Sequence, residues 1–357
     1  MKLIQKLILL LICGLSKKKD FSNLQEPTNI LINARFKIGD SIMLSPLIRE
    51  LKLAYPNIQI DLLAGKDNNF MFPNNPYVHK TFTLYRGYLL HKNIINIIKL
   101  HKQNYSVIID VTPLKFGNYI YLKLLNAKTY IADDAVNRYS INLKEYRCYD
   151  ILLDKQKNLI HMSQHLSRYL EPFDVKATST KTEVYFSNAD IDKATAFLKK
   201  FSSKKNILIN IDGSAKEKCF TVNDYAYISK EVSSAYPDYN IFISSLSTRR
   251  NEVHIHLNTN LIKNVHQLYE TKTIFEIMAF ISKVDLLISP DTSLVHIATA
   301  LNIKCSSVYC GNLNILAQWH PNSHLAKLVK SPIINKNSII GFDNKQLIKN
   351  SKELLND

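Results

Sequence analysis

Short aliphatic runs alternate along this chain with longer stretches in which apolar positions recur at helical spacing. In the first half, residues 29–34 (NILINA), 58–63, 81–85, 106–111 and 129–132 read as strands. Helices are expected between them over 41–55, 90–102 and 115–125, and a further one over 159–170 ends before Pro172. Leu44, Leu47, Ile48 and Leu51 form the core stripe of the helix over 41–55, and Pro46 inside that span demands a late start or a kink. The alternation resumes after a polar run at 176–182. Strands are expected at 207–211, 241–244, 286–289 and 306–309, with helices over 222–234 and 273–282 and one starting at Thr292. A loop carrying Arg249, Arg250 and Glu252 follows residue 244. Strand and helix in strict alternation argue for parallel sheets, and 357 residues suffice for two domains with separate cores.

The stretch from Asp285 to Gly311, DLLISPDTSLVHIATALNIKCSSVYCG, is the densest such unit, a strand, a helix and a second strand. Leu294, Ile297, Ala298 and Leu301 give the helix one apolar face, whereas Thr292, His296 and Thr299 point the other way. Asp291, Thr292 and Ser293 fall at the helix start, outside the carboxyl end of a strand, where backbone N–H groups and the helix dipole favour a phosphate. On this pattern alone Asp291 is equally readable as a helix cap and His296 as a solvated helix residue.

Composition sharpens the picture. Only eight glycines are present, so Gly39, Gly213 and Gly311, each in a turn beside polar residues, stand out. A net charge of +16 calls for an anionic partner. Nucleic acid is disfavoured, because there is no zinc-finger spacing, no aromatic RNA-binding box and no long arginine tract. Five cysteines, at 13, 148, 219, 305 and 310, form no C-x-x-C pair and read as reduced thiols. Residues 1–19, MKLIQKLILLLICGLSKKK, are too short in apolar length to span a bilayer. With lysines on both flanks and no small-x-small cleavage site, they read as an interfacial helix on anionic lipid, with packing on the protein body as the alternative.

Two further polar motifs sit at strand ends. Arg35-x-x-x-Gly39-Asp40 follows the first strand, and Gly213-Ser214-Ala215-x-x-Lys218 follows the strand at 207–211. By residue type alone, Asp40 is a helix N-cap or a general base, and Lys218 a surface charge or a phosphate ligand. The adjacent carboxylates Asp133 and Asp134, and His161, His165, His254 and His256, form no metal-like constellation, and no metal is expected.

Asp291-Thr292-Ser293-x-x-His296-x-Ala298, between two apolar strands of which the second leads to Gly311, resembles the C-terminal signature of glycosyltransferase family 9. These are the ADP-heptose lipopolysaccharide heptosyltransferases and their relatives. Arg35, Gly39, Asp40, Pro46, Leu47, Leu51, Tyr55 and Pro56 resemble the glycine-aspartate motif that opens family members. The Gly213 to Lys218 segment and Trp319-x-Pro321 are similar to two further family patterns, so the resemblance spans roughly residues 29 to 325. The sequence departs from the family where Cys219-Phe220-Thr221 replaces the more usual Arg-Trp-Pro and where Ser293 replaces a common glycine.

The resemblance implies an α/β fold of GT-B architecture, two Rossmann-like doubly wound domains facing a central cleft. Residues 29–180 would form the acceptor domain and 181–357 the nucleotide-sugar donor domain, preceded by the basic segment and linker at 1–28. It implies an inverting, metal-independent transferase without a cofactor, using ADP-heptose as donor and a lipopolysaccharide core as acceptor. Asp40 would be the catalytic base, with Arg35 and Gly39 on the acceptor side. Gly213, Ser214, Lys218, Asp291, Thr292, Ser293 and His296 would bind the donor. The expected location is cytoplasmic and peripheral, on the inner face of the cytoplasmic membrane. The other readings are a GT-B hexose or N-acetylhexosamine transferase, a nucleotide-sugar epimerase, and a non-catalytic nucleotide-sugar or lipopolysaccharide-binding protein at the membrane.

Overall fold

Strands β1 (Asn29–Ala34), β2 (Gln59–Gly65), β3 (Lys80–Leu84), β4 (Val107–Asp110), β5 (Thr129–Asp133) and β6 (Ile151–Leu153) form one sheet in the order β3-β2-β1-β4-β5-β6. All neighbours pair in parallel. This computed structural model describes residues 26–356 except 36, 86–89, 113–120, 134–148, 155–157, 203–204, 261 and 335. The expected N-terminal segment, the start of the expected helix at 115, Asp134, Cys13 and Cys148 lie outside the described residues. The chain divides into two units, Met1–Thr180 and Lys181–Asp357.

In the first unit, Ile30, Leu31, Ile32 and Ala34 of β1 are all fully buried, as expected of a parallel strand covered on both faces. The helical stretch after β1 is two helices, α1 (Ile38–Met43) and α2 (Ser45–Ala54), rather than one helix over 41–55. The cause is Pro46, which lacks an N–H and is accommodated only in a first helical turn, so a new helix begins beside it. Helix α3 (Leu90–His101) joins β3 to β4, and α4 (Met162–Ser167) follows β6. The expected helix over 159–170 is shorter than predicted, and a 3-10 turn from Arg168 to Phe173 carries the chain through Pro172.

The second unit contains α5 (Asn188–Leu198), β7 (Asn206–Asn210), α6 (Val222–Ala235), β8 (Asn240–Ser244), α7 (Arg250–Asn260), β9 (Val265–Gln267) and α8 (Ile274–Ile281). It continues with β10 (Leu286–Pro290), α9 (Ser293–Ala300), β11 (Lys304–Tyr309), α10 (Leu313–Trp319), β12 (Ala326–Lys330) and α11 (Asn344–Asn356). The expected loop around Arg249 to Glu252 is instead a 3-10 turn running into α7, whose core contacts come from Val253, His256 and the partly buried Leu257, a short face blurred in sequence by the exposed Ile255. The sheet order is β12-β11-β10-β7-β8-β9, again all parallel. Counting strands from the start of each unit, both sheets have the doubly wound order 3-2-1-4-5-6. Strand order reverses between β1 and β4 in the first unit and between β7 and β10 in the second, the places where such sheets hold ligands. Among the described residues, no helix is long and apolar enough to cross a membrane.

Candidate functional site

Every donor-side residue named from the sequence lies in the second unit, and most of them surround the reversal point of its sheet. The chain leaves β7 through Ile211, Asp212 and Gly213, and leaves β10 through Pro290 into Asp291 and Thr292. Lys218, on a 3-10 turn after β7, donates from Nζ to Asp291 Oδ2 at 2.7 Å. Both side chains are about nine-tenths buried, so Lys218 is not one lysine of a solvated surface run. Gly213 is required by close approach, because a Cβ there would stand 2.5 Å from the Cβ of Lys218 and closer still to its carbonyl oxygen. Ser214 lies exposed in the same loop.

Thr292, not Asp291, is the N-cap of α9, its hydroxyl accepting from the Leu294 N–H at 3.2 Å. Asp291 is thereby left to pair with the lysine, and its own N–H is held by the Val308 carbonyl at 2.8 Å. Ser293 is the first residue of the helix. His296 does not face solvent; it is 4% exposed, with its ring 6.1 Å from that of Trp319. Burial, with smaller contributions from His320 and Lys218, pushes the His296 pKa down to about 4, so the ring is neutral at physiological pH. The sequence pattern misplaced His296 because α9 is covered on more than its sheet face.

Several groups around this site escaped sequence reasoning. Arg249 donates to Asp212 Oδ1 at 3.1 Å, to the Phe220 carbonyl at 2.9 Å and to Glu252 at 2.6 Å, tying the loop after β7 to the start of α7. Asp212 also accepts the Leu246 N–H at 2.5 Å. Burial alone would lower the Arg249 pKa, but the carboxylates of Glu252 and Asp212 outweigh it and raise it. Asn210 donates to Ser289 Oγ at 3.0 Å and to the Asp212 carbonyl at 2.9 Å, stitching together the ends of β7 and β10. The available signal was position, since Asn210, Asp212 and Ser289 are polar residues at the ends of aliphatic runs.

In the first unit, Arg35 lies in the turn after β1, and Gly39 and Asp40 lie in the first turn of α1. Asp40 is not the N-cap, which is Lys37; it occupies the third helical position, and its Oδ2 accepts the Lys37 N–H at 3.3 Å. Burial raises the Asp40 pKa, partly opposed by that hydrogen bond. At the end of β4, Asp110 is fully buried and accepts from Tyr149 at 2.6 Å, Asn33 at 2.8 Å and the Thr112 N–H at 3.0 Å. Asp133 is buried and lies 2.9 Å from His165 Nε2. Among the described residues, no group of three or more His, Cys, Asp or Glu side chains could hold a metal ion.

An arrangement of lysine, carboxylate, histidine and helix N-terminus at a reversal point can hold a phosphorylated ligand and neutralise charge that develops on it. Residues 133–338 match the family model for glycosyltransferase family 9 (heptosyltransferase), more than half of the chain. The chain belongs to glycosyltransferase family 9. It is 21% identical over 282 residues to lipopolysaccharide heptosyltransferase 1 of Campylobacter coli, covering 76% of this chain and 81% of that one. The crystal structure of a family 9 glycosyltransferase from Veillonella parvula superposes with a TM-score of 0.75 at 14% identity, covering 92% of this chain and 97% of that one. Heptosyltransferase WaaC of E. coli, solved with ADP-2-deoxy-2-fluoro heptose, superposes with a TM-score of 0.69 at 13% identity, over 91% and 99% of the two chains. At such identities the superpositions show the fold, which is GT-B, and the family match makes the protein a transferase.

Proposed function

We propose that this family 9 member transfers heptose from ADP-heptose to a lipopolysaccharide core acceptor, with inversion at the anomeric carbon. The observation that carries the reading is the buried Lys218–Asp291 pair beside the N-terminus of α9. An ammonium has three N–H donors, and Asp291 engages one, so Lys218 retains donors for a diphosphate. The acceptor hydroxyl oxygen forms a bond to the anomeric carbon as the bond from that carbon to the diphosphate oxygen breaks, and ADP departs. Asp40 takes the proton from the hydroxyl, a role helped by a carboxyl pKa that burial lifts toward the working range. Charge on the leaving diphosphate is met by Lys218 and the dipole of α9 in place of a divalent ion. Asp291 fixes the lysine, and neutral His296 orients the sugar or phosphate. The match to a curated heptosyltransferase and the fold shared with a relative holding an ADP-heptose analogue support this donor and acceptor. Such an enzyme works in the cytoplasm, on the inner face of the cytoplasmic membrane.

The test is turnover by the purified protein with ADP-heptose and a heptose-free core oligosaccharide, with and without chelator. Expected are ADP release and an acceptor heavier by one heptose, unaffected by chelator. Turnover of UDP-hexoses only, or release of ADP without a heavier acceptor, would sink the assignment.

A further inference from the structure

Helix α3 carries aliphatic side chains on the side turned away from its sheet. Its inward face is accounted for: Asn93 is fully buried and bonded to the Tyr85 backbone at 2.7 and 2.9 Å, Asn96 donates to the Thr83 carbonyl at 2.7 Å, and Ile97 and Leu100 pack on the core. The outward face presents Ile94, Ile95 and Ile98, exposed by 59%, 59% and 51%, followed by exposed Lys99 and Lys102. His101 Nδ1 lies 2.8 Å from the carbonyl oxygen of Leu124, which places Leu124, itself 51% exposed, beside the last turn of the helix. Ile94, Ile95 and Ile98, with Leu124 beside the last turn, make an exposed cluster of large aliphatic side chains, and such a cluster calls for an occupant.

Charge identifies it. Residues 85–128 contain seven lysines and arginines, at 86, 92, 99, 102, 115, 123 and 128, against a single carboxylate, Asp110, which is fully buried. Among the described exposed residues of α3 and its end, 94, 95, 98, 99 and 102, aliphatic groups stand beside ammonium groups and there is no acid. A second copy would bring lysines against lysines. A specific protein partner would need groups that fix a register, yet residues 94, 95, 98, 99 and 102 are only isoleucine and lysine. Isoleucines that can enter the headgroup boundary, rimmed by lysines that meet lipid phosphates, match an anionic bilayer. We propose that the outward face of α3, with Leu124, docks the first unit on an anionic membrane surface. This goes beyond the transfer reaction and does not depend on which sugar is moved.

The test uses full-length protein and sedimentation with phosphatidylglycerol-containing vesicles, against phosphatidylcholine vesicles, without donor or acceptor. Two variants are compared with the wild type, Ile94→Ser/Ile95→Ser/Ile98→Ser and Lys99→Glu/Lys102→Glu. Because the altered side chains are exposed, both should melt with the wild type. Each should bind anionic vesicles about tenfold or more weakly, and turnover of a soluble acceptor should be unchanged. Absence of wild-type binding to anionic vesicles, or wild-type binding by both variants, would overturn the proposal. So would an altered oligomeric state with vesicle binding intact, which would give the face to a second copy.

Discussion

The Lys218 ammonium and the Asp291 carboxylate, 73 residues apart in sequence, meet at 2.7 Å with both side chains about nine-tenths buried. Removing one member strands the other in a poorly solvated place. Lys218→Ala should therefore cost about 3–5 kcal/mol of stability and also abolish donor binding. Lys218→Met/Asp291→Leu should recover most of the melting temperature but none of the nucleotide affinity. Thermal melts beside titration calorimetry with ADP separate the two effects. Wild-type ADP affinity in Lys218→Ala would exclude the lysine from donor binding.

Gly213 lets the loop after β7 pass directly over Lys218. Gly213→Ala should push the lysine out of register with Asp291, costing about 1–3 kcal/mol and weakening ADP at least as strongly as Lys218→Arg does. Equal melting and equal ADP binding in the two proteins would show that the loop has room to yield.

Asp40→Asn preserves an oxygen able to accept the Lys37 N–H, so the helix start should survive and the melting temperature stay near wild type. It removes the proposed proton acceptor. A fall in kcat of about 10²- to 10⁴-fold is expected with ADP affinity unchanged. In the wild type, the acid limb of kcat/KM should lie above the ordinary aspartate value of 3.8, because burial raises this carboxyl. An active Asp40→Asn enzyme would leave the base to be found elsewhere.

His296 links stability to pH. Its folded pKa is depressed to about 4 from the ordinary 6.5, so the unfolded chain binds a proton that the folded one refuses. The contribution is present above pH 6.5, and acidification toward pH 4 removes on the order of 3 kcal/mol. Other histidines titrate as well, so the measurement is the difference between wild type and His296→Gln in denaturant melts across that range. Parallel curves would show that His296 does not carry the dependence.

Much of the fold was legible because parallel strands buried on both faces are nearly uninterrupted aliphatic runs, as in NILINA and LLISP. Helix α7 was illegible because its packed face is short, Val253, His256 and Leu257, and the exposed Ile255 beside it blurs the pattern, and β9 because it is three residues long. Lys218 and Asp291 could be named singly from their motifs, but their pairing depends on the juxtaposition of β7 and β10. The bonds from Arg249 to Asp212 and from Tyr149 to Asp110 likewise join residues 37 and 39 apart, with nothing local to announce them. His296 was misread because helical periodicity reports one packed face and cannot register a second.

In a sheet without hairpins, every neighbouring pair of strands must wait for the segment between them to be made. The Asn210–Ser289 bond that joins β7 to β10 spans 79 residues, so the sheet of the second unit cannot close until the chain has been synthesised beyond Asp291. Such long-range pairing is slow to form. If this unit binds the donor as proposed, that binding is a late event in its folding. A nascent or truncated chain ending before β10 would carry the lysine loop of the site without its carboxylate.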